Sequence, residues 1–200
     1  MSSILGHACA GIIVKKLAKT NLPAKKNKIL MCLLIILALL PDIDVIIYII
    51  FKFSNMLPHR GMTHSLLFSF ITAYILTIIF ERYFDITKLK LFFIFLSSLL
   101  SHLALDFLMG AGPAIPLFAP FSYKGFLSSI QFVPCAYYST SAKGLFQILF
   151  YPPAVIGYCL EFLIFTPIIL GLKKNKSIFI NVMLSIIFIF AITSTFWIYN

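Results

Sequence analysis

Residues 29–51 have the sequence ILMCLLIILALLPDIDVIIYIIF, and this apolar run indicates the class of fold. It is longer than the ~20 apolar residues that a helix needs to cross the hydrocarbon core of a bilayer. Its only charged residues are Asp42 and Asp44, which come just after Pro41. A strand of a membrane barrel would alternate apolar and polar residues, and this stretch does not. It therefore predicts a membrane-spanning helix that is interrupted at a proline and carries two acids.

Similar apolar runs recur along the chain, which has 200 residues, 61% of them hydrophobic and only 11% charged. A soluble domain usually has ~25% charged residues, so this composition excludes a water-soluble fold. We predict an all-α fold, a multi-spanning transmembrane helical bundle of about five or six membrane helices, forming one integral membrane domain. Its core motif region covers residues 4–125, and its C-terminal helices cover residues 146–200. The predicted elements are a short helix at 4–18, spans at 29–51, 63–80, 89–109, 146–171 and 177–199, and a long loop at 110–145.

The basic residues predict the orientation in the membrane. The chain has a formal net charge of +10, and most of its lysines and arginines lie in short loops between apolar runs. Such loops face the cytoplasm, which assigns residues 15–28, 82–90 and 173–176 to that side and both termini to the other. Because topology accounts for the charge, we predict the lipid bilayer as the partner and no nucleic-acid partner.

Most of the acids and histidines form one constellation. The chain has six acids and four histidines, and seven of these ten residues fall in four short motifs. Ionisable groups in spans are costly and usually functional, and imidazole and carboxylate are ligands that zinc prefers. Under the predicted orientation, all seven lie toward the outer ends of their segments. We therefore predict a divalent metal site there, with Asp42 beside it as a candidate catalytic residue. The candidate ligands are His7, Asp44, His59, His64, His102 and Asp106.

Each of these residues also has a simpler interpretation. Asp42 and Asp44 are suited to cap a helix at the proline break, and His59 to sit solvated in a loop. His102 and Asp106 are four residues apart on one helix face, so they are suited to form an intrahelical pair. The metal interpretation depends on all seven residues coinciding. Glu161 lies alone in the span 146–171, where it either joins the site or pairs with a lysine.

The motifs resemble those of the YdjM family, bacterial inner-membrane proteins described as membrane-bound metal-dependent hydrolases. The resemblance covers roughly residues 4–125 and implies a location in the bacterial plasma membrane. It depends on five features: His7, LPDID at 40–44, HRGMTHS at 59–65, SHLALD at 101–106 and PFS at 120–122.

The same motifs are distantly similar to those of zinc-dependent phospholipase C and the S1/P1 nucleases, which bind a zinc cluster. This similarity implies that zinc is held by His7, Asp44, His64, His102 and Asp106, with Asp106 as the candidate bridge between two metals. The chain has no histidine after His102. The resemblance therefore implies one or two ions rather than three.

The expected activity is hydrolysis of a phosphoester in a lipid or lipid-linked substrate. A divalent metal lowers the pKa of bound water and polarises a phosphoryl oxygen. Asp42 is the expected general base or partner of a metal ligand, and the fork-shaped guanidinium of Arg60 is the expected phosphate clamp. The competing interpretation is a transporter in which the same His/Asp cluster conducts protons or cations. Clustering of these groups at one end of the spans argues against a pathway across the membrane.

Overall fold

The computed structural model describes residues 3–51, 60–109, 112–134, 142–148, 150–172 and 178–199. Within these residues the fold is helical, with a single isolated β-bridge between Ile115 and Phe126. The helices are α1 Ile4–Leu17, α2 Ala24–Leu39, α3 Ile43–Phe51, α4 Leu66–Phe84, α5 Lys88–Leu108, α6 Ala142–Ile148, α7 Pro152–Gly171 and α8 Ile178–Tyr199. The predicted all-α class is confirmed.

Five segments among the described residues are long and apolar enough to cross a membrane, which confirms the multi-spanning helical bundle. They are Ala24–Ile47, Leu66–Phe84, Lys88–Leu108, Pro152–Gly171 and Ile180–Ile198. The first of them runs through α2, a short 3-10 turn at Leu40–Asp42 and the start of α3. Helix α1 has 14 residues and rises about 21 Å at ~1.5 Å per residue, which is less than a hydrocarbon core.

Helix α1 packs against three of these spans, α2, α5 and α7. Its contact with α2 is close because Gly11 has no side chain. A Cβ atom at Gly11 would lie 2.7 Å from the Leu34 carbonyl oxygen and 2.9 Å from Cα of Ile35. The approach of two backbones at a small residue is typical of helix pairs in membranes. The remaining main contacts are those of α2 with α5, α4 with α5, and α7 with α8.

The core of the bundle lies between α2, α4 and α5. Phe84, Phe95 and Leu99 are fully buried there. Ser98 adds a polar contact, because its hydroxyl donates to the Leu34 carbonyl of α2 at 2.5 Å. This hydrogen bond fixes the register of α5 against α2 one helical turn before the residue that enters the site.

The predicted span 146–171 is wrong at its start. The structure has a separate short helix, α6, and begins the spanning helix at Pro152. The reason is the pair Pro152-Pro153: neither residue has an N–H to bond into a preceding turn, and both suit the first turn of a new helix. Tyr151, before the first proline, has extended backbone with φ −74° and ψ 118°. This conformation is the one that a following proline imposes.

Helix α4 also begins later than the predicted residue 63. A 3-10 turn at Met62–His64 comes first, and Ser65 then caps the helix by accepting a hydrogen bond from the Phe68 N–H at 3.0 Å. This turn separates His64 from the helix and points the imidazole into the bundle, where it is fully buried.

Candidate metal centre

Four side chains from three segments converge at one end of the bundle: Asp42, His64, His102 and Asp106. Each offers one ligand atom, and these four atoms all lie within 4.8 Å of one another. Asp42 ends the 3-10 turn after α2, and His64 ends the turn before α4. His102 and Asp106 lie one turn apart near the end of α5, so the helix presents both on one face.

The separations between these atoms match those of ligands around a shared cation. The two Nε2 atoms of His64 and His102 are 3.2 Å apart. Asp42 Oδ1 lies 3.4 and 3.6 Å from them, and Asp106 Oδ2 lies 3.6 and 3.7 Å from them. Ligands held ~2.0–2.1 Å from a tetrahedral zinc are about 3.3–3.4 Å from each other. The 3.2 Å between the two Nε2 atoms also fits a hydrogen bond between the rings, so the metal interpretation depends on the convergence of all four atoms.

The tautomer of His102 is fixed by the end of α2. Its Nδ1 lies 2.8 Å from the carbonyl oxygen of Ala38. A carbonyl only accepts, so Nδ1 carries the proton and the Nε2 lone pair points into the site. Ala38 is in the last turn of α2, where carbonyls have no donor within the helix. Metal-binding histidines are typically oriented in this way.

Asp44 holds the segment after residue 59 rather than facing the four ligand atoms. Its Oδ2 accepts from the backbone N–H of Arg60 at 2.9 Å and from the Thr63 hydroxyl at 3.4 Å. The same oxygen is 3.5 Å from Nδ1 of His64. The two aspartates therefore lie in the opposite arrangement from the one expected. Asp42, expected as a base, is among the four, while Asp44, expected as a ligand, is behind His64.

Arg60 reaches the site from a strained position. Its φ of 64° places a non-glycine residue in the left-handed region, which is sustained only where surrounding contacts enforce it. Its Nε lies 3.0 Å from Asp106 Oδ2, and its Nη1 donates to the carbonyl of Pro113. The side chain is buried at 3% exposure. The guanidinium is thus fixed at the edge of the cluster, between Asp106 and the loop after α5.

His7 lies on the other side of the cluster. Its ring stacks on that of His102 with the centroids 3.8 Å apart and the planes 11° apart. Its Nε2 lies 3.9 Å from Asp42 Oδ2 and 3.7 Å from Asp106 Oδ1, the oxygens that do not face His64. Neither ring nitrogen has a hydrogen-bond partner in the described part of the chain. The ring of His7 is fully buried.

Three carboxylates and one guanidinium meet in this region, those of Asp42, Asp44, Asp106 and Arg60. All but Asp42 are almost fully buried. Buried charged groups are usually paired or coordinate a metal, and this set of acids and histidines suits a cation.

Of the other predicted candidates, His59 lies outside the described residues. Glu161 is buried on α7 but does not join the cluster. Its Oε1 accepts from the backbone N–H of Ser3 at 2.8 Å, and its Oε2 accepts from the Ser3 hydroxyl. Ser3 caps α1, four residues before His7. The partner of Glu161 seen here is therefore Ser3, at the start of α1.

Sequence reasoning missed the groups that orient the candidate ligands. The Ala38 carbonyl and the Pro113 carbonyl carry no side-chain signal. The role of Ser98 could have been predicted, because it is a small polar residue one helical turn before His102 in an apolar span. The hydroxyl of Thr63 lies 3.1 Å from Nδ1 of His64 and links this ring to Asp44.

Comparison with known proteins identifies the family of the chain. The sequence model of the YdjM inner membrane protein family matches residues 1–198. The chain is 35% identical to inner membrane protein YbcI of Escherichia coli (strain K12) over an aligned stretch of 111 residues, which is 54% of this chain. The match spans 62% of the length of that relative, less than two thirds. No solved structure matches. The family match extends over nearly the whole chain, and the protein therefore belongs to the YdjM family of inner membrane proteins.

Proposed function

We propose that this protein is a membrane-bound metal-dependent hydrolase that cleaves phosphoester bonds in a lipid or lipid-linked substrate. The observation that carries the proposal is the spacing of four ligand atoms from Asp42, His64, His102 and Asp106. Five of their six separations, 3.2 to 3.7 Å, suit ligands of one small cation, and His64, His102 and Asp106 are fully buried.

The donor set favours zinc. Two imidazole nitrogens and two carboxylate oxygens suit a borderline-soft divalent ion, whereas magnesium and calcium prefer oxygen ligands alone. When bound, such a cation supplies a Lewis acid and lowers the pKa of a water molecule to near neutrality. The protein residues hold and orient it: the Ala38 carbonyl fixes the ring of His102, and Thr63 with Asp44 fixes the ring of His64.

His7 marks a second position beside the first. Asp42 and Asp106 each present one oxygen toward His64 and His102 and the other toward His7. Both nitrogens of His7 are buried and without a hydrogen bond among the described residues, which suits a ligand. Two divalent ions this close together would repel each other. We therefore propose one tightly bound ion and a second that binds more weakly or together with an anionic substrate.

Arg60 is the proposed substrate clamp. Its guanidinium is held at the rim of the cluster by Asp106 and Pro113, and a fixed planar fork fits a phosphate group. Asp44 is proposed to organise this segment through the Arg60 backbone and His64. The distant similarity to zinc-dependent phospholipase C and the S1/P1 nucleases supports a phosphoester as the bond that is cleaved.

We further propose that the site faces the non-cytoplasmic side. The support is the distribution of lysines and arginines, which places residues 15–28 and 82–90 in the cytoplasm. Cysteine labelling at positions 26 and 88 should report the cytoplasm, and labelling at 55 and 128 the opposite side. The reverse pattern would move the site to the cytoplasmic face.

The two aspartates provide the test of the metal centre. Protein purified without chelators should hold one or two divalent ions per chain and hydrolyse a phosphodiester or phospholipid probe. Asp42→Asn should lose the metal and the turnover. Asp44→Asn, a matched change two residues away, should keep most of the metal and reduce turnover roughly 10–100-fold, as partners of ligands do. Retention of metal by Asp42→Asn would refute the proposed ligand set.

The same preparation separates a hydrolase from a transporter. A transporter predicts proton- or cation-coupled flux in liposomes that needs these acids, and no ester turnover. Metal-free wild-type protein with intact flux would refute the hydrolase. Ester turnover that disappears with a chelator and returns with zinc would support it.

A further inference from the structure

The loop after α5 presents large aromatic side chains away from the protein. We call residues 115–126 the aromatic loop. Phe118, Phe121 and Tyr123 are 51%, 85% and 68% exposed. The loop is nevertheless ordered by its own contacts: Ile115 and Phe126 exchange two backbone hydrogen bonds of 2.9 Å, and the rings of Phe118 and Phe126 meet at 5.5 Å. Exposed aromatic side chains on an ordered loop indicate a surface that contacts a partner.

The aromatic loop is attached directly to the candidate metal centre. The backbone N–H of Leu66, two residues after His64, donates to the carbonyl of Leu117 at 2.9 Å. Just before the loop, the Pro113 carbonyl accepts from the guanidinium of Arg60. The proposed phosphate clamp and a ligand segment therefore each bond to the same short stretch of chain.

The position of the loop along the spans identifies what covers it. The loop is hydrogen-bonded to Leu66, the first residue of the α4 span, and it follows the end of the α5 span at Leu108. After the loop, the Phe132 N–H donates to the Leu108 carbonyl at 2.9 Å. These span ends lie where hydrocarbon gives way to headgroups, the depth at which aromatic residues are enriched. Lys124, exposed within the loop, adds a positive charge that suits anionic lipids.

The candidate metal centre begins just below this depth. His102 is six residues before the end of the α5 span, so it lies about 9 Å below that end at ~1.5 Å per residue. Asp106 is only two residues before it, and Arg60 Nε lies 3.0 Å from Asp106. A lipid phosphate at the span ends therefore lies close to the Arg60 end of the site, whereas a solute must cross the headgroup layer to reach it.

We propose that the aromatic loop docks in the lipid leaflet beside the metal centre and that the substrate is a phospholipid drawn from that leaflet, its phosphate meeting Arg60. The first half of this proposal stands on the contacts and depth of the loop alone. The second half rests on the proposed hydrolase function.

Docking of the loop is tested by fluorescence in vesicles of phosphatidylcholine and phosphatidylglycerol. The chain has one tryptophan, Trp197, so Trp197→Phe combined with Phe121→Trp gives a single reporter in the loop. Lipids brominated near the headgroup end of their chains should quench this indole strongly, and aqueous iodide should quench it weakly. Strong quenching by iodide with none by brominated lipid would overturn the docking, whether or not the protein is a hydrolase.

The substrate class is tested by comparing a phospholipid probe in vesicles with water-soluble bis-nitrophenyl phosphate. Phe121→Ser should slow the vesicle reaction roughly tenfold, because an apolar anchor is lost, and change the soluble reaction less than twofold. Trp197→Ser is the matched control: its side chain is 86% exposed on α8, and both reactions should be unchanged. Equal effects of Phe121→Ser on both substrates would refute delivery from the leaflet. If the wild type hydrolyses neither probe, the hydrolase and the lipid substrate fail together, and the fluorescence result still decides the docking.

Discussion

The half of the molecule built from α1, α2, α4 and α5 differs from the last helix, α8, in what its polar groups contact. In the first half some of them reach across helices, as in the bonds from Ser98 to Leu34 and from His102 to Ala38. On α8 the hydroxyls of Thr193 and Thr195 return to carbonyls of their own helix at 3.0 and 2.9 Å. The first pattern fixes geometry between helices, whereas the second only satisfies a hydroxyl in lipid.

The C-terminal pair, α7 and α8, acts on the site through α1. At one end Glu161 of α7 accepts two hydrogen bonds from Ser3, and at the other the Lys16 ammonium donates to the Ile169 carbonyl at 3.0 Å. These contacts hold the helix that carries His7. The four-helix half therefore provides the candidate ligands, while α7 helps to position one of them, His7, through its contacts with α1.

The largest effect is expected from a ligand in the first half. His102→Ala should lose most of the bound metal and reduce turnover more than ~100-fold, since changes to mere partners of ligands already cost 10–100-fold. Metal analysis and a phosphodiester assay measure this. Ser101→Ala is the matched control on the same turn, because its hydroxyl bonds only its own helix at Ser98. Equal losses in both variants would mean that α5 had merely been destabilised.

A smaller and different effect is expected at Arg60. Arg60→Ala should keep the metal and lower turnover roughly 10–100-fold, because a hydrogen bond to a charged group contributes about 1.5–3 kcal/mol. Arg60→Lys should recover only part of the loss, since an ammonium lacks the two-pronged geometry. The loss should appear mainly in kcat/KM. Loss of metal from Arg60→Ala would show that Arg60 positions Asp106 instead of binding the phosphate of the substrate.

The smallest effect is expected in the C-terminal pair. Glu161→Ala leaves the Ser3 donors without their acceptor, at a cost of about 1–3 kcal/mol in stability. We expect turnover to fall roughly threefold to tenfold through misplacement of His7, with the tightly bound metal retained. Glu161→Gln should restore most of it, because an amide can bond both Ser3 groups. Phe162→Ala, which changes an exposed neighbour on the same helix, should have no effect on turnover. If it matches Glu161→Ala, the coupling through Ser3 is refuted.

Much of this arrangement could be predicted from the sequence. Apolar runs of sufficient length identify the spans, and the rarity of acids and histidines makes their clustering visible. His102 and Asp106 were expected to share a face because helical periodicity is a local property. The convergence of His64 with them was expected from the membrane topology, which the positions of lysines and arginines predict.

The order of Asp42 and Asp44 could not be predicted. Residues two apart point in different directions, and which one faces the site depends on the 3-10 turn at Leu40–Asp42. That turn exists because Pro41 breaks the helix, but its rotation is set by packing. The partner of Glu161 lies 158 residues away at Ser3, so no local pattern contains it. By contrast, the start of α7 at Pro152 was readable from the proline pair.

The shortness of α1 has a consequence for the membrane itself. Its 14 residues rise about 21 Å beside spans of 19 to 24 residues, and its last turn carries Lys15 and Lys16. A cavity of about 400 Å³ opens between this end of α1 and α5, lined in part by Lys90 and Phe93. Such hydrophobic mismatch is relieved by thinning of the bilayer and by lysines that extend to the interface. We therefore expect the protein to depress the leaflet opposite the metal centre and to prefer thin bilayers over thick ones.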